Sequence, residues 1–161
     1  MNPVNHQACL LLGSNIRAEE NLGRALRLMQ KKTELIRVSS VWETASVGSD
    51  APNFLNLALL VLTPLDAEGL KTKVLRPLEA EMGRVRSADK NAPRPIDLDI
   101  IVFDGKVVDE LLWKHAYRAA PAAELLPDLL SASGEPLAQT ALRLAAEEVV
   151  FRREDLSYAF R

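Results

Sequence analysis

One cysteine and two histidines in 161 residues leave little scope for disulfide or zinc chemistry. Cys9 has no second cysteine to pair with, and it sits in the apolar run Ala8-Cys9-Leu10-Leu11-Leu12, where a thiol acts as a small core side chain. That usage suits a reducing compartment, so a cytoplasmic location is expected. His6 and His115 are far apart in the sequence, with no Cys/His cluster around them. No apolar run reaches the ~20 residues of a membrane span, and the N-terminus lacks a secretory-leader pattern. The formal charge of −2 gives no electrostatic case for broad nucleic-acid binding. Aromatics are scarce at 5%, and the first strand, Cys9 to Leu12, has none on which RNA bases could stack. What remains is a globular composition, 48% apolar and 26% charged, read as a single domain over residues 1–161 with a real core.

Periodicity orders the elements. Ala8–Leu12 reads as a buried strand, broken by Gly13-Ser14-Asn15. Leu22, Ala25, Leu26 and Met29 fall at helical spacing, which predicts an amphipathic helix over about residues 19–32. Leu35–Trp42 reads as one strand, 44–52 as a loop and Phe54–Leu62 as another strand, with Ala58 and the leucines leaving a helix open there. Asp66 is a candidate N-cap for a second helix ended by Gly83, with a kink expected at Arg76-Pro77. Ile96–Phe103 is the fourth strand, and Asp104-Gly105 a turn into a short strand over 106–108. The order strand, helix, strand, strand, helix, strand is the ferredoxin-like βαββαβ pattern of an α+β fold. Extra C-terminal helices are expected over 121–126 and 136–148, and no element is assigned beyond Phe151.

The chemistry concentrates in Gly83–Asp99, GRVRSADKNAPRPIDLD. Side chains two apart on a strand share a face ~6–7 Å apart, so Asp97 and Asp99 point the same way. Leu98, Ile100, Ile101, Val102 and Phe103 make this strand largely apolar, so the two carboxylates need a partner. A hard divalent ion such as Mg²⁺ is one, since it takes oxygen ligands and retains water. An arginine is the other. Arg84, Arg86 and Arg94 lie just upstream, and guanidinium forks match phosphate oxygens. Arg94 stands between Pro93 and Pro95, which stiffen its backbone and fix its offset from the aspartates. Carboxylates for metal and arginines for phosphate are the parts that phosphoryl-type transfer from a nucleotide needs.

Taken in order, LLLGSN, VSSVWET, PNFLNLAL, LEAEMGRVR and PRPIDLDI resemble the 6-hydroxymethyl-7,8-dihydropterin pyrophosphokinase family over roughly residues 8–115. The resemblance implies an ATP- and Mg²⁺-dependent diphosphotransferase of folate biosynthesis. It would move the terminal pyrophosphoryl unit of ATP to the hydroxymethyl group of a reduced pterin, releasing AMP. It puts the metal on Asp97 and Asp99, and the catalytic phosphate contacts on Arg84, Arg86 and Arg94. Glu79, His115 and Arg118 fall on further ATP contacts. Thr44, Ala45, Val47, Gly48, Phe54 and Asn56 map to the pterin pocket, with Ser46 beside them. An asparagine amide offers a donor and an acceptor in one plane, which suits a pterin edge, although Asn56 could instead cap neighbouring backbone. The partners implied are ATP and a reduced pterin, for a monomer with no nucleic acid or membrane.

The chain departs from the family pattern in places. Asn91-Ala92 replaces a loop tryptophan, Glu110 and Leu112 replace an arginine and a threonine, and Ala45-Ser46 replaces a proline pair. HAYRAAPAAELLPDL is shortened after His115 and lacks the phenylalanine that stacks on the pterin, leaving Tyr117 as the nearest aromatic. A divergent paralogue with Mg-nucleotide binding but altered or lost pterin activity is therefore the alternative. A non-enzymatic ferredoxin-like module ranks third. Removing either aspartate is expected to abolish turnover with little effect on folding.

Overall fold

A computed structural model describes residues 5–45, 52–85 and 93–158. The strands are β1 (His6–Ser14), β2 (Glu34–Val38), β3 (Trp42–Thr44), β4 (Phe54–Thr63), β5 (Asp97–Phe103), β6 (Lys106–Val107) and β7 (Val150–Arg152). The α-helices are α1 (Ala18–Lys32), α2 (Ala67–Leu70), α3 (Arg76–Glu81), α4 (Ala116–Leu125) and α5 (Leu137–Ala145). The strands form one antiparallel sheet in the order β6-β5-β1-β4-β3-β7, with β2 also on β4. β1 and β4 are central, which is why LLL and LALLVL are apolar on both faces.

Alternation along the central strands splits the core in two. Leu10, Leu12, Leu57, Leu59 and Leu98 pack with α1, α2 and α3, through residues such as Leu22, Met29, Leu70 and Leu78. Cys9, Leu11, Ala58, Leu60 and Ile101 pack with α4 and α5 on the other face. Ala116, Ala119 and Ala122 are fully buried there, so α4 lies close against the sheet. Cys9 is a core residue as expected, and burial pushes its thiol up to about 12, well out of reach of neutral-pH chemistry.

Five sequence expectations are corrected. The first strand does not break at Gly13 but runs on to Ser14, with both residues paired to β4. The single strand over 35–42 is two strands, both paired with β4. Ser39 interrupts it: its amide donates to Ala58 O at 2.9 Å, and its hydroxyl, in place of a carbonyl, accepts from Ala58 N at 2.8 Å. The helix expected over 121–126 begins at Ala116 and carries Pro121 inside it, because Glu148 accepts the Ala116 amide at 2.8 Å and caps the start from a distance. The helix over 136–148 ends at Ala145. The tail forms β7, a strand no periodicity announced, because three residues are too few to show one. Asp66 does cap the second helical segment, accepting from Gly69 N at 2.7 Å. The expected kink is a π-helical turn, Lys71–Leu75, where the ladder is spaced around Pro77.

Candidate active site

Antiparallel register sets the site. Residues directly opposite share a face, and one row runs Trp42, Asn56, Gly13, Asp97 across β3, β4, β1 and β5. The next row on that face is Ala58, Leu11, Asp99. Strands lie ~4.8 Å apart, so Asn56 and Asp97 are ~10 Å apart with only Gly13 between them. Glycine there leaves room for the Asn56 amide, which a Cβ would crowd. Thr44 and Phe54 are paired one step along the face from Trp42 and Asn56, and Asn56 Nδ2 donates to Thr44 Oγ1 at 3.5 Å.

At the β5 end, Asp97 is held by two arginines. Arg84 Nη1 lies 2.5 Å from Asp97 Oδ1, and Arg94 Nη1 lies 3.0 Å from Asp97 Oδ2. Arg84 also donates to Glu79 Oε2 and to Ile96 O, each at 3.2 Å. Arg94 is placed by its backbone. Asn15 Oδ1 accepts the Arg94 amide at 2.6 Å, and the Asn15 amide donates to Arg94 O at 3.1 Å. Asn15 therefore extends the β1–β5 ladder past the prolines, which cannot donate.

Glu79 is 2% exposed and faces the open edge of β5. Its Oε2 accepts the Leu98 amide at 3.0 Å, and its Oε1 accepts from Arg76 Nη1 at 2.6 Å. Arg76 Nη1 also reaches Leu98 O at 3.3 Å. Side chains of α3 thus pair with the backbone of the residue between the two aspartates, as a further strand would.

Asp99 is neutralised far less. The guanidinium nearest to it is that of Arg118, 3.9 Å away, while Arg118 also lies 2.8 Å from Asp109. Burial first, and the charge of Asp97 second, push the Asp99 carboxyl up to about 6. It lines a cleft of about 400 Å³ with Lys71, Leu75, Arg76, Ile100 and Asp109. Among the described residues no three His, Cys, Asp or Glu side chains converge into a closed metal cage. Two carboxylates on one strand face are instead the donor set of a hard ion that completes its shell with water and phosphate. The charge deficit at Asp99 fits such an ion.

The described site residues therefore fall into three groups. Arg84, Arg94 and Asp97, with Glu79, form one network; Asp99 and Arg118 adjoin it; Thr44, Phe54 and Asn56 lie across Gly13. Ala45 follows β3 and is exposed. His115 precedes α4, with its Nδ1 3.5 Å from Glu148 Oε1 and its ring stacked on Tyr117 at 5.5 Å. Among the described residues no ion pair joins His115 to either aspartate. Arg86, Ser46, Val47 and Gly48 lie outside the described residues. Sequence reasoning missed Asn15 and Arg76. The GSN motif that ends β1 was a signal for the first; nothing in a helix-borne arginine singled out the second.

A family model described as 7,8-dihydro-6-hydroxymethylpterin-pyrophosphokinase (HPPK) matches residues 9–127. A Pseudomonas aeruginosa protein named 2-amino-4-hydroxy-6-hydroxymethyldihydropteridine pyrophosphokinase is 33% identical over 141 residues, covering 78% of this chain and 84% of that protein. The folate synthesis bifunctional protein of Arabidopsis thaliana is 36% identical over 132 residues, covering 74% of this chain and 27% of that protein. The chain thus spans about a quarter of such bifunctional relatives, the share being 25% for the mitochondrial protein of Pisum sativum. The crystal structure of Plasmodium falciparum HPPK-DHPS with pteroate superposes with a TM-score of 0.71 at 12% identity, over 91% of this chain and 44% of that one. At that identity the likeness establishes the ferredoxin-like fold alone. The family model and the bacterial relative establish more: the chain belongs to the 7,8-dihydro-6-hydroxymethylpterin-pyrophosphokinase family.

Proposed function

We propose that residues 1–161 are one pyrophosphokinase domain acting in folate biosynthesis on two small molecules, ATP and 6-hydroxymethyl-7,8-dihydropterin. The observation that carries this reading is the row Asn56, Gly13, Asp97. It sets a planar amide and a carboxylate on one face, with the Asn56 amide lying over the glycine between them. A pterin edge read by Asn56 would extend its hydroxymethyl arm along this face toward the β5 carboxylates.

In the reaction, the hydroxymethyl oxygen forms a bond to the β-phosphorus of ATP. The bond from that phosphorus to the α,β-bridging oxygen breaks, AMP leaves, and the hydroxyl proton is lost. Asp97 and Asp99 would hold Mg²⁺. When bound, the ion supplies charge neutralisation for the triphosphate and makes the attacking hydroxyl more acidic. Arg84 and Arg94 stand against Asp97 and would turn their remaining donors to phosphate oxygens, with Arg86, His115 and Arg118 sharing that charge. Asn15 and Glu79 fix the backbones of Arg94 and Leu98, so little ordering remains to be done when substrate arrives.

The test is direct. The protein, Mg-ATP and 6-hydroxymethyl-7,8-dihydropterin are incubated together and AMP is measured. AMP formed only with the pterin supports the reading; nucleotide binding without pterin-dependent AMP refutes it. Analytical ultracentrifugation tests the monomer.

A further inference from the structure

We propose that Arg153 is a positioning residue for the pterin pocket, acting from the opposite face of the sheet through Glu43. The proposal rests on the function above and adds the C-terminal tail to it. β3 ends in Thr44 on the site face, and its middle residue, Glu43, turns to the α1 face beside Leu55. One carboxylate oxygen of Glu43 accepts from Asn53 Nδ2 at 3.2 Å, and the other accepts from Arg153 Nη1 at 2.7 Å. Asn53 adjoins Phe54 and Glu43 adjoins Thr44, so Glu43 ties together the two strand ends that carry Thr44 and Phe54, both mapped pterin contacts.

The tail is itself well anchored. β7 pairs with β3 along Trp42–Arg152, Glu43–Phe151 and Thr44–Val150. The Arg153 amide donates to Val41 O at 2.8 Å. Its guanidinium forks onto Asp155 at 2.8 and 2.7 Å and reaches Glu19 on α1 at 3.2 Å. Tyr158 then closes the strap, with its hydroxyl on Glu19 O at 2.7 Å and its ring against Gly23. One guanidinium therefore serves three carboxylates that would otherwise repel each other. Removing it takes the cation from the Glu43 carboxylate and leaves that carboxylate facing Glu19 and Asp155.

Arg153→Met is compared with wild type and with Glu43→Gln. The expected result is a KM for the pterin raised on the order of tenfold, with kcat and the KM for ATP within about twofold, as for loss of a supporting hydrogen-bonded partner. The double variant Arg153→Met/Glu43→Gln should be no worse than the single arginine change, because both remove the same link. Amide hydrogen exchange over 43–45 and 52–55 in the ligand-free protein should accelerate in Arg153→Met. Equal rises in both KM values, unchanged exchange there, or additive effects in the double variant would overturn the proposal. If Arg153→Met does not fold, Glu43→Gln decides by the same pterin-specific KM and exchange. If wild type makes no pterin-dependent AMP, the proposed function fails, and the exchange measurement still decides what Arg153 does.

Discussion

Asn56 and Gly13 are fitted to each other across the β1–β4 ladder: a Cβ on Gly13 would stand 2.7 Å from Asn56 Oδ1. Gly13→Ala should therefore push the amide aside. The variant is expected to lose about 1–3 kcal/mol of stability, as an overpacked core does, and to bind the pterin weakly. Adding Asn56→Ala should restore the stability and leave binding lost. Urea denaturation of the single and double variants checks this; a neutral Gly13→Ala would mean that the amide has room to move.

Asp97→Ala is expected to abolish turnover and also to destabilise the protein. The sequence alone suggested little effect on folding. In the structure Asp97 stands between Arg84 and Arg94, so its removal takes the shared carboxylate from both guanidinium groups. The cost should be about 1–3 kcal/mol, the penalty of stranding a charged donor. A thermal melt that matches wild type would show that the arginines find solvent instead.

Glu79→Ala should be the most destabilising single change at the site. The carboxylate is buried, accepts the Leu98 amide, and answers both Arg76 and Arg84. Its loss leaves an edge amide and two cations short of a partner, at about 3–5 kcal/mol. Glu79→Gln retains one acceptor and should cost less. The ordering of the two variants in urea midpoint is the check.

How much of this was legible in the sequence follows from which interactions are local. Asp97 and Asp99 declare their shared face through a period of two, with Leu98 turned to the other, and PRP declares its stiffness, so the carboxylate pair and its nearby arginines were readable. The Asn15–Arg94 and Glu79–Leu98 links were not. They join segments far apart in the chain by side-chain-to-backbone bonds that leave no periodic mark. The break at Ser39 was hidden for the same reason: a hydroxyl replacing a ladder carbonyl looks like any serine in a strand. β7 was hidden because its pairing is decided by the free edge of β3, which has no trace in residues 150–152 themselves.

The Asp99 carboxyl gives a prediction with a definite sign. Its ordinary value is 3.8, and burial with the neighbouring Asp97 charge raises it to about 6 in the fold. A group whose folded value is raised contributes stability that is full below the unfolded value and is lost as pH rises through the folded one. Ionising Asp99 thus costs the ligand-free protein stability between about pH 4 and 6, and the cost persists above that. Asp99→Asn removes the charge while keeping the shape. At pH 7 it should be more stable than wild type by about 1–3 kcal/mol, and the difference should vanish near pH 4. The same variant should lose turnover, because the carboxylate that strains the ligand-free fold is the one proposed to grip the ion. Added Mg²⁺ with a nucleotide should raise the melting temperature of wild type above pH 6 and do far less for Asp99→Asn. Melting curves of both proteins at pH 4 and 7, with and without Mg-nucleotide, decide it. An Asp99→Asn protein less stable than wild type at pH 7 would mean that Arg118, 3.9 Å away, already satisfies the charge, leaving no deficit for a metal to fill.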